Sequence, residues 1–275
     1  MDKIWAVSYY TFRESLARKT FITFFIISSI TLALFLFALN VDIVDGALRG
    51  ISVFGNEPGR INFDITEFVT TIESVIATAL FTGGLFLSIF ATASLVPNML
   101  QKGHVDWLLS KPISRSHLLI GRFIGALAIV GFNVFYLIFG TWLILSIKTG
   151  FWHFPFLISG FLIVVIFAVL YAFMVLLGIL VQNSAVCIMG AYLIVFFSPW
   201  LYQRDRIYAL LSERVYQILL DGIYYLTPRT FEFGEIVTRS VLGQSIPSWA
   251  PVWHSMLIGA FFFGLAIYFF QKKNF

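Results

Sequence analysis

Residues 149–203 read TGFWHFPFLISGFLIVVIFAVLYAFMVLLGILVQNSAVCIMGAYLIVFFSPWLYQ, an unbroken run without a single Asp, Glu, Lys or Arg. Wound as one helix it would reach about 80 Å, against a bilayer hydrocarbon core of about 30 Å. It must therefore fold back on itself, and the polar cluster Gln182-Asn183-Ser184 marks the place. Pro155 suits the first turn of the earlier helix, where its missing N–H costs nothing. Two membrane spans follow from this run, near residues 155–181 and 185–202.

Working outward, three further stretches lack the four charged residue types: Ser74–Gln101, Phe123–Ile147 and Ser240–Gln271. Each exceeds the roughly 20 apolar residues that a membrane helix needs. Of the 275 residues, 59% are hydrophobic and 12% charged. A soluble domain carries about a quarter charged residues, so water is the wrong solvent for this surface. Near the N-terminus an apolar run from Phe21 to about Leu39 follows Lys3, Arg13, Arg18 and Lys19. It is longer than the apolar core of a cleaved signal peptide and is expected to stay as a span. The expected fold is an all-α polytopic membrane protein forming a single transmembrane domain over residues 1–275. Its six spans lie near 20–40, 70–97, 118–147, 155–181, 185–202 and 252–270.

Orientation is read from Lys and Arg. With both termini cytoplasmic, the inner segments hold ten of the 18 basic residues and the outer segments eight. A five-span alternative moves residues 203–250 inside and improves that count, but it makes the 149–203 run cross once only. Six spans are retained, with residues 203–250 as a helical extracytoplasmic segment.

Residues 1–19 place Trp5, Tyr9, Phe12 and Leu16 at helical spacing among basic residues, the pattern of a helix lying in the inner interface. A second stripe, Ile207, Leu211, Val215 and Ile218, runs to Thr227-Pro228, and a shorter apolar stretch through Phe233 and Ile236 follows. These predict one or two helices on the outer membrane surface. Trp152, Trp200, Trp249 and Trp253 fall near outer boundaries, as an aromatic belt does. Cys187 lies in an apolar run and reads as a small buried hydrophobe. The net charge of +4 is small for this length and points to no nucleic-acid partner.

Signatures of chemistry are scarce. There is no GxxxxGK[ST] phosphate loop, no HExxH and no GxSxG. The four histidines, His104, His117, His153 and His254, are dispersed and lack the three converging ligands of a zinc site. No catalytic residue, metal site or cofactor site is assigned. Glu73, in TTIESVIATAL, is the one ionisable residue placed within a span. Either it sits one or two turns inside the outer interface, facing a polar cavity, or the span starts after it. Gly121 and Gly125, four apart at the start of the third span, would let another helix approach closely, as would Ala260 and Gly264 on the sixth. Gly83-Gly84 would permit a bend in the second.

The second and third spans are joined by QKGHVDWLLSKPISRSHLLIGR, residues 101–122. Val105, Leu108 and Leu109 share one helical face, and Lys102 and Asp106 form an i, i+4 pair on another. Lys111 precedes Pro112 and is pushed from helical geometry, so a short helix should end near Ser110. Ser114 or Ser116 would cap the third span, and Arg115 and Arg122 would snorkel to the inner headgroups.

The longer run LVPNMLQKGHVDWLLSKPISRSHLLIGRFIGA resembles the link between the second and third spans of ABC-2 class permeases of ATP-binding-cassette transporters. Gly103 matches the family's glycine, Asp106 its second acid, and Leu108 to Arg115 its LLSKPISR block. His104 stands where Thr is usual, and Gln101 and Lys102 stand where an acid is usual. The N-terminal helix resembles the family's elbow helix, Tyr224 to Phe233 the region before the last span, and QKKNF its basic tail. The resemblance implies a bacterial inner-membrane transport subunit that is not itself an enzyme. A second permease chain, identical or different, and a pair of cytosolic ATPase subunits holding ATP and Mg would be its partners, besides membrane lipid. The coupling region, residues 98–116, would receive the ATPase movement through Gly103, His104, Val105, Asp106, Leu108, Leu109 and Ser110. Two other functions stand beside export or translocation. In one, the chain relays ATPase movement to an extracytoplasmic protein without transport. In the other, it is a membrane-embedded lipid-modifying enzyme using Asp205, Asp221, Glu232 and Glu235.

Overall fold

The computed structural model describes residues 2–16, 19–37, 39–44, 47–53, 64–100, 114–208 and 214–273. Helices α1 (Asp2–Leu16) and α2 (Lys19–Phe37) come first, followed by an antiparallel hairpin of β1 (Leu39–Val44) and β2 (Ala47–Val53). Next come α3 (Ile65–Ala79), a π-helical turn (Leu80–Gly84), α4 (Leu85–Thr92) and α5 (Leu95–Met99). Two long helices, α6 (Arg115–Thr149) and α7 (Pro155–Val181), precede α8 (Ser184–Tyr202). The short α9 (Arg204–Tyr208), α10 (Arg214–Leu226) and α11 (Thr230–Val241) lead to α12 (Ala250–Lys272).

Five of these helical stretches are long and apolar enough to cross a membrane: Ile65–Met99, Arg115–Thr149, Pro155–Val181, Ser184–Tyr202 and Ala250–Lys272. That is the mark of a multi-pass membrane protein. The apolar part of α2, Phe21–Phe37, is shorter. Apart from the hairpin, which the sequence reading did not anticipate, the described architecture is helical.

Helix α7 is the hub. Its apolar window is 72% buried, against 17% for α8 and 22% for α12, so α7 is wrapped by protein while the other two present most of their surface outward. Helices α6, α8, α11 and α12 all pack on it. In lipid, where apolar burial supplies little drive, such packing depends on small residues that let backbones approach. Gly259 of α12 is one: a Cβ there would stand 3.0 Å from Val169.

The break between α7 and α8 falls at the polar cluster. Gln182 adopts the left-handed conformation (φ 55°) and its N–H bonds to the Gly178 carbonyl at 3.0 Å. Asn183 then caps α8, its Oδ1 accepting from the Ala185 N–H at 2.9 Å. Cys187 is fully buried, with its thiol on the Asn183 carbonyl at 3.2 Å. Pro155 occupies the first turn of α7.

Gly83 and Gly84 close a π turn, the form taken by the bend expected there. Helix α11 departs from the sequence reading. Phe233, Ile236, Val237 and Val241 are buried, and α11 packs against α3, α7 and α8. The apolar stretch through Phe233 and Ile236 is thus inserted into the bundle, not laid on its surface. Two serines secure its start: the Arg229 N–H donates to Ser255 Oγ at 3.1 Å and the Phe231 N–H to Ser198 Oγ at 2.9 Å. Helix α10 does stay exposed, with Val215, Ile218, Leu219 and Ile223 uncovered.

Candidate functional site

The residues singled out for coupling, Gly103, His104, Val105, Asp106, Leu108, Leu109 and Ser110, lie outside the described residues. The frame that holds both ends of their segment is described. On the leading side, Leu95, Val96, Pro97 and Met99 of α5 and the following Leu100 are buried. Gly178 of α7 admits them, since a Cβ there would meet Val96 at 3.2 Å and Pro97 at 3.3 Å. On the trailing side, Ser114 caps α6 by accepting from the His117 N–H at 3.3 Å. Ser116, the alternative cap, instead accepts from Gln271 Nε2 at 2.7 Å.

Arg115 does not snorkel. Its Nη1 donates to the carbonyls of Phe270, Gln271 and Lys273, closing the C-terminal end of α12, where cations suit the exposed carbonyls. Lys273 donates in turn to the Ile179 carbonyl, and burial holds its ammonium below its ordinary value. Helices α6, α7 and α12 are thereby tied at the end of the bundle from which residues 101–113 depart.

Arg122 does not snorkel either. It is 2% exposed, and its Nη1 meets Glu14 Oε2 at 2.5 Å, with the Tyr10 ring centroid 5.5 Å from the guanidinium carbon. The pair fastens α1 to α6. Gly121 and Gly125 make the seat: a Cβ at Gly121 would fall 2.7 Å from Val7, and one at Gly125 2.6 Å from Thr11 Cβ and 2.8 Å from the Ser8 carbonyl. Ser8 Oγ bonds the Gly121 carbonyl at 3.0 Å. The close partner of these glycines is α1. Its Val7, Ser8 and Thr11 face inward, while Trp5, Tyr9 and Leu16 of the aromatic stripe point outward.

Helix α12 differs from expectation. Gly264 has no atom within 4 Å of a Cβ built on it, and Ala260 is exposed along an apolar groove. The close approach is made one residue before Ala260, by Gly259. Spacing alone did not distinguish these faces, because α12 is apolar all round.

At the opposite end, Glu73 is 1% exposed, within α3. Its Oε2 lies 2.6 Å from His153 Nδ1, and its Oε1 is buried without a hydrogen-bond partner. His153 sits in the short connection between α6 and α7 and stacks on Phe151. Burial pushes its imidazole below the ordinary value. The pair joins positions 80 residues apart, and sequence reading, which weighed the histidines as metal ligands, missed it.

Two acids of residues 203–250, Asp221 and Glu232, serve structure. Asp221 takes Arg204 Nε at 3.3 Å and the Tyr208 hydroxyl. Glu232 accepts from the Tyr224 hydroxyl at 2.6 Å, and Arg229 Nη1 stands 3.9 Å away. The Arg204 and Arg229 guanidiniums lie 3.8 and 4.3 Å from the Tyr224 ring centroid. Burial, then the carboxylate of Glu232, holds the Tyr224 phenol above its ordinary value, so it remains a donor. Among the described residues no group of three or more His, Cys, Asp or Glu is placed to hold a metal ion.

No model of a known protein family matches the chain, and no curated protein matches it.

Proposed function

We propose that the chain is a membrane-spanning subunit of an ATP-driven transporter of the ABC-2 class. In this reading α2 is the first of six spans, α1 is the interfacial elbow helix, both termini are cytoplasmic and the membrane is the bacterial inner membrane. Residues 101–113 dock a separate cytosolic ATPase, and a second permease chain completes the pore. The observation that carries the reading is the block Leu108 to Arg115, LLSKPISR, in a link whose two ends are fixed to the bundle. Buried α5 leads into the link, and α6 leaves it with Arg115 bonded to the end of α12. Displacement of such a link would reach the long helix α6 directly and the α3–α4 stretch through buried α5.

The test is affinity purification of the full chain from native membranes in mild detergent, with stoichiometric companions identified by mass spectrometry. A chain bearing GxxxxGK[ST] is the expected companion, and Asp106→Arg or Val105→Asp should release it. Isolation of the chain alone after crosslinking, or unchanged ATPase recovery with both variants, would overturn the reading.

A further inference from the structure

Helix α11 brings charge to the side of a span. The face of α3 and the π turn carrying Thr78, Phe81 and Thr82 meets the face of α11 carrying Phe231, Gly234, Glu235, Thr238 and Arg239, and Gln244 closes one end. Between them lies a cleft of about 410 Å³. Thr78 is about 20 Å along the helix from the start of α3, so the cleft lies well within the Ile65–Met99 span.

Glu235 and Arg239 are both half-buried and four residues apart, on one side of α11. Neighbours at that spacing ordinarily pair. Here no ion pair or side-chain hydrogen bond joins either of them to the other or to another described residue, whereas Glu232 on the same helix is fully engaged. Unpaired charges at membrane depth are expensive and persist where they line a polar cavity with a use. The rest of the lining is mainly apolar, with three threonines and Gln244 set among Phe81, Phe231 and Gly234. Thr78 Oγ1 and Thr238 Oγ1 stand 3.4 Å apart across the cleft, and Thr238 and Thr82 each also bond a carbonyl of the preceding turn. Their hydroxyls can turn to donate, and the Gln244 amide offers both a donor and an acceptor. The π turn presents Phe81 against Gly234, where a Cβ would come within 2.7 Å of the ring. π turns inside α-helices recur at functional sites.

We propose that this cleft binds a zwitterionic headgroup, its anionic group held by Arg239 and the threonine hydroxyls and its ammonium by Glu235. A phosphate and an ammonium separated by a two-carbon linker, as in phosphoethanolamine, match two opposite charges one helical turn apart. Phe81 and Phe231 line the cleft and would put aromatic surface beside the linker and the ammonium. The proposal deepens the permease reading by naming the class of molecule handled, and rests on that reading only for the claim that the molecule is cargo. Binding is measured on the purified chain without ATPase, so failure of either leaves the other to be judged separately.

The probes are phosphatidylethanolamine, phosphatidylglycerol and soluble phosphoethanolamine, added to the full chain in detergent micelles and followed by native mass spectrometry and equilibrium competition. The wild-type chain should hold phosphatidylethanolamine about tenfold more tightly than phosphatidylglycerol, which lacks the ammonium. Glu235→Gln should abolish that preference, and Arg239→Gln should weaken both lipids about tenfold. Thr238→Val, a near-isosteric change, should weaken phosphatidylethanolamine several-fold while leaving the unfolding midpoint in place. It keeps the test open if a charge variant fails to fold. Displacement by soluble phosphoethanolamine at comparable concentration would assign the site to a free ligand, and failure to displace would assign it to the lipid. Equal retention of both lipids by the wild type, or a preference that survives Glu235→Gln and Thr238→Val, would overturn the proposal.

Discussion

Removing the carboxylate of Glu14 should cost more than removing the cation it serves. Arg122 is 2% exposed and Glu14 29% exposed, so the two ends of this ion pair differ in access to water. In Glu14→Ala the guanidinium stays buried beside Tyr10 without its counter-charge. Breaking a buried pair in this way costs about 3–5 kcal/mol. Because water can reach the vacated carboxylate position, the lower end, about 3 kcal/mol, is expected. In Arg122→Met the buried charge is gone, a side chain of similar length fills the seat between α1 and α6, and Glu14 can turn to solvent. That loss should be about 1 kcal/mol, in the range of an exposed pair. The double variant should then sit near Arg122→Met alone, which gives a coupling of about 2–3 kcal/mol in the mutant cycle. Reversible unfolding in mixed micelles measures all four proteins, with release of α1 followed through the fluorescence of Trp5. Additive effects, or an Arg122→Met loss larger than that of Glu14→Ala, would refute the claim that burial of Arg122 makes the pair matter.

Three further outcomes follow from the same packing. Gly125→Val places atoms 2.6 Å from Thr11 and 2.8 Å from a backbone carbonyl, and should cost about 1–3 kcal/mol. Gly264→Val, facing open space, should stay within about 0.5 kcal/mol, and thermal midpoints separate the two. His153→Gln tests the connection between α6 and α7. Burial keeps the folded imidazole below its ordinary 6.5, so the unfolded chain binds more protons below that pH. Stability should therefore fall as pH drops from about 6.5 towards the folded value, and this part of the slope should disappear from the variant's unfolding midpoints. Gln182→Gly should stabilise by about 0.5–1 kcal/mol, because φ 55° suits glycine, whereas Gln182→Val should destabilise by a similar amount or more. Chemical unfolding of both variants checks the sign.

Several features were legible because they depend on residues close together in the chain. The turn at 182–184 shows in the sequence as the polar interruption of an apolar run, and the structure puts a left-handed residue and an asparagine cap there. Pro155 opens α7 and Ser114 caps α6 for equally local reasons. Gly121 and Gly125 announced a close approach, but the spacing of two glycines says nothing about which helix approaches. The snorkelling expected of Arg115 and Arg122 failed for the same reason. A long cation near a helix end finds water only when no carboxylate or helix C-terminus is nearer, and Glu14 and the end of α12 are nearer here.

The sequence by itself determined that at least five runs are long and apolar enough to cross a membrane, where the longest must break, and that charge gathers in the links between them. Hydropathy, helix length and capping are sums over neighbouring residues, and no distant contact can undo them. Only the tertiary structure decided that α7 is the hub, that α11 is inserted in the bundle, that Glu73 meets His153, and that Glu235 and Arg239 stand unpaired beside a π turn. Each of these depends on the rotation and depth of one apolar helix against another. A helix that is apolar on every side carries no mark of the face it will bury, so packing makes that choice.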